Sequence, residues 1–299
     1  MTTTSPPVPD AELERYARSH GLDQLGGRPP LRAYIRELWV RRSFALELAK
    51  SKVRSQNEQD RLGLGWVVLT PLINAAVYGF IFGILLQSKS SRPDNFLPYL
   101  VCGVFTFAFF SGSFSDGAKS IVGNRGLVRT LHFPRAVLPI SCVLQKLLEL
   151  GAQVFVMCTI VLLSGEDITW RWLMLIPVFG SMALFCAGVA FFAARLTIHV
   201  RDIAQLIPFI TRLFFYVSGI FFSITRRFES EPTLEAILRF NPLNVYISLV
   251  RDCLMVPSKD VPGITQDWDT FALGVGWGVV MFVLGFLFFW RAEGLYGRE

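Results

Sequence analysis

Residues 123–140 read GNRGLVRTLHFPRAVLPI, a basic, proline-bearing stretch set between two long apolar runs. Gly123 and Gly126 allow turns. Leu127, Val128 and Leu131 can form the apolar face of one short helix, and Pro134 and Pro139 then set the start of the next. A greasy chain that breaks for such a segment offers two readings. The helix plugs a groove on a cytoplasmic partner, or it lies in the interface and anchors its own loop.

The flanks settle the class. The chain has 299 residues, of which 52% are hydrophobic and 17% charged, with 27 Phe; its mean hydropathy is +0.45. Soluble domains carry about 25% charged residues to cover their surface. Several apolar runs here reach the ~20 residues that a helix needs to cross ~30 Å of hydrocarbon. The fold class expected is an all-α polytopic membrane protein. A net charge of +6 could suggest nucleic acid, but the basic residues are spread over loops rather than gathered on one face, so no nucleic-acid partner is expected. Cys102, Cys142, Cys158 and Cys186 lie in apolar runs and Cys253 in a long loop. Their odd number and spacing fit neither a disulfide framework nor a metal site. The first 60 residues contain no apolar h-region, so a cleavable signal peptide is not expected.

Six spans are expected, at about Trp66–Leu86, Leu97–Phe114, Ala136–Leu163, Leu173–Ala194, Ile203–Ile224 and Phe271–Trp290. Short-loop Lys and Arg orient them. Arg41, Arg42, Lys50, Lys52, Arg54 and Arg61 precede the first span. Lys119, Arg125, Arg129 and Arg135 follow the second, and Arg195 and Arg201 the fourth. Both termini are therefore expected in the cytoplasm and the protein in the inner (cytoplasmic) membrane. Thr225–Asp269 falls outside yet is basic, with apolar patches too interrupted to span; it reads as a re-entrant or interfacial hairpin, about 225–257.

Around this domain, 61–293, lie a Pro- and Thr-rich tail over 1–30, expected to be disordered, and a short C-terminal tail over 294–299. Between the first tail and the first span, 31–60 reads as a basic amphipathic helix. Leu31, Tyr34, Ile35, Leu38, Trp39, Leu46 and Val53 share one side, while Arg32, Arg36, Glu47, Lys50 and Arg54 share another. Arg42 interrupts the apolar side and must snorkel. A helix of this kind lies among lipid headgroups.

Three patterns imitate enzymes. Gly112–Ser120, GSFSDGAKS, approaches a phosphate-binding loop, but Ala118 intrudes before Lys119 and no strand precedes it, so no ATP site is expected in this chain. Asp267 and Asp269 form a DWD pair at the outer end of the last span, a solvated interface rather than a metal site. His20, His132 and His199 lack ligand spacing. Within the spans, Lys146 and Glu149 are three apart and can pair. Arg212 stands about ten residues into the fifth span, where it either lines a wet pathway and meets an anionic substrate or bonds to a neighbouring helix.

The opening segment resembles the first coupling helix of type-2 ABC transporter permeases of the polysaccharide-exporting branch. Their N-x-x-L-v-[KR]-x-x-x-F-P-[KR]-x-x-x-P pattern is matched by Asn124, Leu127, Val128, Arg129, Phe133, Pro134, Arg135 and Pro139. Their Tyr/His-x-R-D appears as His199, Arg201 and Asp202, and their N-P-[LM]-x-x-[YI] as Asn241, Pro242, Leu243 and Tyr246. The likeness covers about residues 31–293 and is greatest to the Wzm-type branch, which moves lipid-linked glycans. The Pro-rich start and Arg-rich character are similar to actinobacterial galactan exporters.

This resemblance implies a homodimer with two copies of a separate ATPase below, docked on a coupling helix at about 116–135. Asn124, Leu127, Val128, Arg129, Leu131, His132, Phe133, Arg201 and Asp202 would serve that coupling. ATP and magnesium would sit on the partner, with no cofactor and no catalytic role here. The substrate would be a polymer on a polyprenyl pyrophosphate. Arg32, Arg36 and Arg42 would meet its pyrophosphate, and Tyr78, Phe82, Phe107, Phe110, Arg212 and Tyr216 would line the pathway. An exporter of a small drug or lipid would share the coupling segment. A secondary transporter would need internal repeats and paired intramembrane charges, and a membrane-embedded glycan enzyme would rest on the DWD pair alone.

Overall fold

The computed structural model describes residues 30–58, 62–63, 65–81, 95–131, 133–200, 202–228, 230–255 and 268–293. The expected tails over 1–29 and 294–299, Phe82, His132, Arg201 and Asp267 lie outside the described residues. In chain order the α-helices are α1 (Leu31–Val40), α2 (Arg42–Glu58), α3 (Gly65–Phe80), α4 (Phe96–Lys119), α5 (Arg125–Thr130), α6 (Val137–Leu163), α7 (Leu175–His199), α8 (Ile203–Val217), α9 (Ile224–Arg227), α10 (Pro232–Phe240), α11 (Pro242–Leu254) and α12 (Trp268–Trp290). Short 3-10 turns at Val122–Asn124 and Trp170–Met174 precede α5 and α7.

Among the described residues, four segments are long and apolar enough to cross a membrane: Phe96–Lys119, Val137–Leu163, Trp170–His199 and Trp268–Trp290. α3 and α8 are shorter apolar helices among the described residues. Two of these elements differ from the sequence expectation for identifiable reasons. α4 runs on to Lys119, past the expected end at Phe114. Its glycines serve close packing rather than turns: Gly117 faces Ala190 of α7 so tightly that any Cβ would collide. Asp116 pairs with Lys146 at 3.2 Å. The GSFSDGAKS stretch is therefore continuous helix up to Lys119, without the loop that cradles a phosphate. In the other direction, α8 stops at Val217 instead of continuing to Ile224, because the chain turns through Gly219 at φ 67°.

α4 forms the centre of the packing. Its Leu100, Val101, Phe105, Phe109 and Phe110 are buried among α3, α6, α7, α8 and α11. The closest seam joins α7 to α12. A Cβ on Gly188 would strike the Met281 carbonyl, and one on Gly285 would strike that of Gly188. Small residues let two membrane helices touch backbone to backbone, where van der Waals contact replaces the missing hydrophobic drive.

Polar side chains along α6 bond to their neighbours, although Gln153 Oε1 is buried without a hydrogen-bond partner. Ser141, Gln145, Glu149 and Gln153 recur every fourth residue and are buried. Lys52 of α2 reaches Ser141 at 3.4 Å, and Gln145 donates to Gln56 at 2.7 Å and to Glu149 at 2.9 Å. Gln153 Nε2 donates to the Val67 carbonyl at 3.3 Å. That carbonyl lacks its helical donor because Pro71, four residues on, has no N–H. The expected interface helix is in fact two, α1 and α2, separated at Arg41, with α2 lying along α6.

Candidate functional site: an aromatic cleft between three helices

α3, α4 and α8 enclose an open cleft of about 480 Å³. Its chemistry follows from three helical stripes. Thr70, Asn74 and Tyr78 recur every fourth residue on α3. Phe107, Ser111 and Ser115 do the same on α4, and Thr211, Arg212, Phe215 and Tyr216 come from α8. The rings form one cluster: Phe215 lies 5.1 Å from Tyr78, 5.0 Å from Phe107 and 5.7 Å from Tyr216. Phe221, beyond the turn at Gly219, packs on Tyr78 at 5.2 Å.

Tyr78, Phe107, Arg212 and Tyr216, which the sequence singles out from three separate segments, meet in this cleft. Phe110 does not line it. That ring is buried behind Phe107, against Phe114, Phe185 and Phe214. The hydroxyl and amide groups of Thr70, Asn74, Ser111 and Ser115 were missed, although their four-residue spacing with Tyr78 and Phe107 was visible. The cleft combines aromatic faces, exposed hydroxyls and one guanidinium. These groups can stack on rings and hydrogen-bond to polyols without fixing a single pose.

The basic residues of α1 and α2 separate into two places. Arg32 and Arg36 line a surface groove on α1 together with Glu37 and Arg41. Arg42 instead lies over the Trp39 ring at 5.1 Å and donates to the Trp39 carbonyl at 3.1 Å.

The opening segment folds as the 3-10 turn and α5. Asn124 Nδ2 donates to the Ser120 carbonyl at 2.6 Å, tying the segment to the end of α4. Leu127 and Val128 are half-buried and pack toward the core, Arg129 lies within α5, and Leu131 is 49% exposed. Phe133 is buried, with its ring 5.5 Å from Phe44 of α2. Of the apolar residues in this segment, Leu131 thus presents the open face. Asp202 stands just before α8, and His199 Nδ1 is 3.0 Å from the Arg195 carbonyl at the end of α7.

The N-P-L-x-x-Y run earns its residues on the hairpin. Asn241 Oδ1 accepts from the Leu243 N–H at 3.1 Å, and Pro242 opens α11. Tyr246 Oη donates to Gly274 of α12 at 2.7 Å and reaches Ser181 of α7 at 3.2 Å. One tyrosine thereby fixes the hairpin to both helices.

These features define a multi-pass helical membrane protein with an open polar–aromatic cleft and a short helical segment joining two spans, a transporter's architecture. The model of the ABC-2 type transporter family matches residues 47–255, and the chain belongs to that family. It is similar to the O-antigen export system permease protein RfbA of Myxococcus xanthus, 24% identical over 210 residues, covering 70% of this chain and 79% of that protein. It is also similar to RfbA of Klebsiella pneumoniae, 25% identical over 246 residues, covering 81% of this chain and 89% of its relative.

Proposed function

We propose that this chain is the membrane permease subunit of an ABC exporter that carries a polyprenyl-pyrophosphate-linked polysaccharide across the cytoplasmic membrane. The observation that carries the reading is the cleft, where aromatic rings and hydroxyls from three helices converge with Arg212. A sliding glycan needs such a surface, one that stacks on many sugars and holds none. The curated relatives are O-antigen export permeases, which supports a polymer over a small drug or lipid. Galactan is the particular glycan favoured, on the Pro-rich start and Arg-rich character of the chain.

In this reading two copies form a homodimer with both termini in the cytoplasm, and the two clefts face one pathway. Two copies of a separate ATPase subunit dock on 124–133, His132 included, and Arg201 and Asp202 serve the same coupling. ATP and magnesium reside on that partner. Closure of the partner pushes α5, which is tied through Asn124 to α4, a wall of the cleft. Arg32 and Arg36 receive the pyrophosphate at the inner leaflet.

The test is purification of the tagged chain from its native cells in mild detergent. A stoichiometric ABC ATPase is expected with the wild-type chain and lost from Leu131→Asp, which places a charge on the open face of the segment. If no ATPase accompanies the wild type, even after crosslinking, the reading is wrong.

A further inference from the structure

Three distant pieces of chain meet on Glu293, just beyond the end of α12. Tyr34 of α1 donates its hydroxyl to Glu293 Oε2 at 2.9 Å. The main-chain N–H of Arg135 donates to Glu293 Oε1 at 3.0 Å. The Arg135 guanidinium donates to the Glu293 carbonyl and stands 3.9 Å from Oε1. Tyr34 Oη in turn accepts from the Ala136 N–H at 3.1 Å. One hydroxyl therefore both gives and receives, and the pattern closes on itself.

The knot is dry: Tyr34, Ala136 and Glu293 are exposed by 1%, 0% and 6%. A buried carboxylate that loses a donor keeps its desolvation penalty with nothing to offset it, so a satisfied network of this kind holds its members in one arrangement. Nearby, the Phe44 ring against Phe133 joins α2, the helix after α1, to the same stretch by an apolar contact. Residues 133–136 lie in the link between α5 and α6. On the other side of the knot, Arg32 and Arg36 flank Tyr34 on α1 and line its surface groove.

We infer that Tyr34 and Glu293 are positioning residues that carry movement of the α5 segment, through Arg135 and Ala136, to the interface helix α1. The stroke delivered under α5 then displaces the Arg32–Arg36 groove at the same moment that it reshapes the cleft. Capture of an anionic headgroup and opening of the pathway become one event. The inference rests on the ATPase-driven reading above.

The test uses the full chain with its ATPase in nanodiscs. A reporter is attached at Val40→Cys, which is 69% exposed on α1; the native cysteines of the chain are buried or half-buried. Its spectrum is compared without nucleotide and with ATP plus vanadate. The wild-type background is expected to show a nucleotide-dependent shift. Tyr34→Phe and Glu293→Gln should each lose the shift while assembly and basal ATP hydrolysis persist, a split that a plain brace would not produce. A shift absent from the wild type, or unchanged in both variants, overturns the inference while leaving the exporter reading intact. If no ATPase assembles with the wild type, the exporter reading falls and this inference with it. Should both variants fail to assemble, the knot is only a brace and the inference is likewise overturned; Tyr34→Phe removes a single oxygen and keeps the ring packed near Phe286.

Discussion

The guanidinium carbon of Arg251 lies over the ring of Tyr99, 3.3 Å from its centroid, and the group donates to the Tyr99 carbonyl through Nε and Nη2 at 3.2 and 3.1 Å. Further bonds reach the carbonyls of Gly219 and Ile220, each at 3.0 Å. One buried arginine on α11 thus satisfies the non-helical backbone where α8 breaks. Irregular chain at membrane depth requires such partners.

Arg251→Met should therefore remove the donor to the Ile220 carbonyl and weaken the support of Gly219, which keeps only the Tyr99 hydroxyl at 3.3 Å, destabilising the fold by roughly 1–3 kcal/mol, the cost of a buried polar group left unsatisfied. Arg251→Lys keeps the charge but lacks the planar fork, so it should recover only part of that loss. Thermal unfolding in detergent reads both.

At the α7–α12 seam, Gly285→Ala should lower stability by at least about 1–3 kcal/mol, since its Cβ meets backbone that cannot give way. Gly276→Ala on the same helix meets nothing within 4 Å and should be neutral or mildly stabilising. Comparison of the two melting temperatures separates packing from any general intolerance of α12.

Gln153 and Pro71 are expected to be energetically coupled. Gln153→Leu leaves the Val67 carbonyl unpaired, whereas Pro71→Ala supplies that carbonyl with its own helical N–H. A double-mutant cycle should give an interaction of about 1 kcal/mol, the usual net worth of one hydrogen bond.

On the export function proposed above, Arg212→Ala within the cleft should reduce transport about tenfold, corresponding to about 1.4 kcal/mol of lost contact, with the protein still assembled. Accumulation of the proposed lipid-linked glycan on the cytoplasmic side would register the defect.

Burial pushes the Glu293 carboxyl above its ordinary value of 4.5, against the opposing pull of the Arg135 N–H, the Tyr34 hydroxyl and the Arg135 charge. The folded chain then holds this proton more tightly than the unfolded chain. Its contribution is fully present below the ordinary value and is lost as the pH rises through the raised folded one. The stability difference between wild type and Glu293→Gln should accordingly move in favour of the wild type as the solution is acidified across that window. Parallel melting curves at several pH values measure it.

Much of this protein was legible in its residues. Mean hydropathy and the length of the apolar runs dictate helices in a membrane, because no other open structure satisfies its own backbone there. The motif around Asn124, Pro134 and Pro139 marks a short helix between two spans, and Tyr78, Phe107, Arg212 and Tyr216 were among the pathway residues that the resemblance implied, as was Phe110, which packs behind them. What the residues could not tell is which glycine turns and which packs. Gly117 and Gly219 look alike in sequence, yet the first lets α4 press on α7 and the second ends α8. Nor could they pair Tyr34 with Glu293, or Arg251 with the carbonyls of Gly219 and Ile220. Local pattern reports which face of a helix is apolar or polar, but a hydrogen bond between residues 259 positions apart, as in the first pair, exists only once the helices have packed. The membrane class and the helices came from composition and period, whereas the breaks, the knots and the convergence of the cleft were decided by tertiary contact.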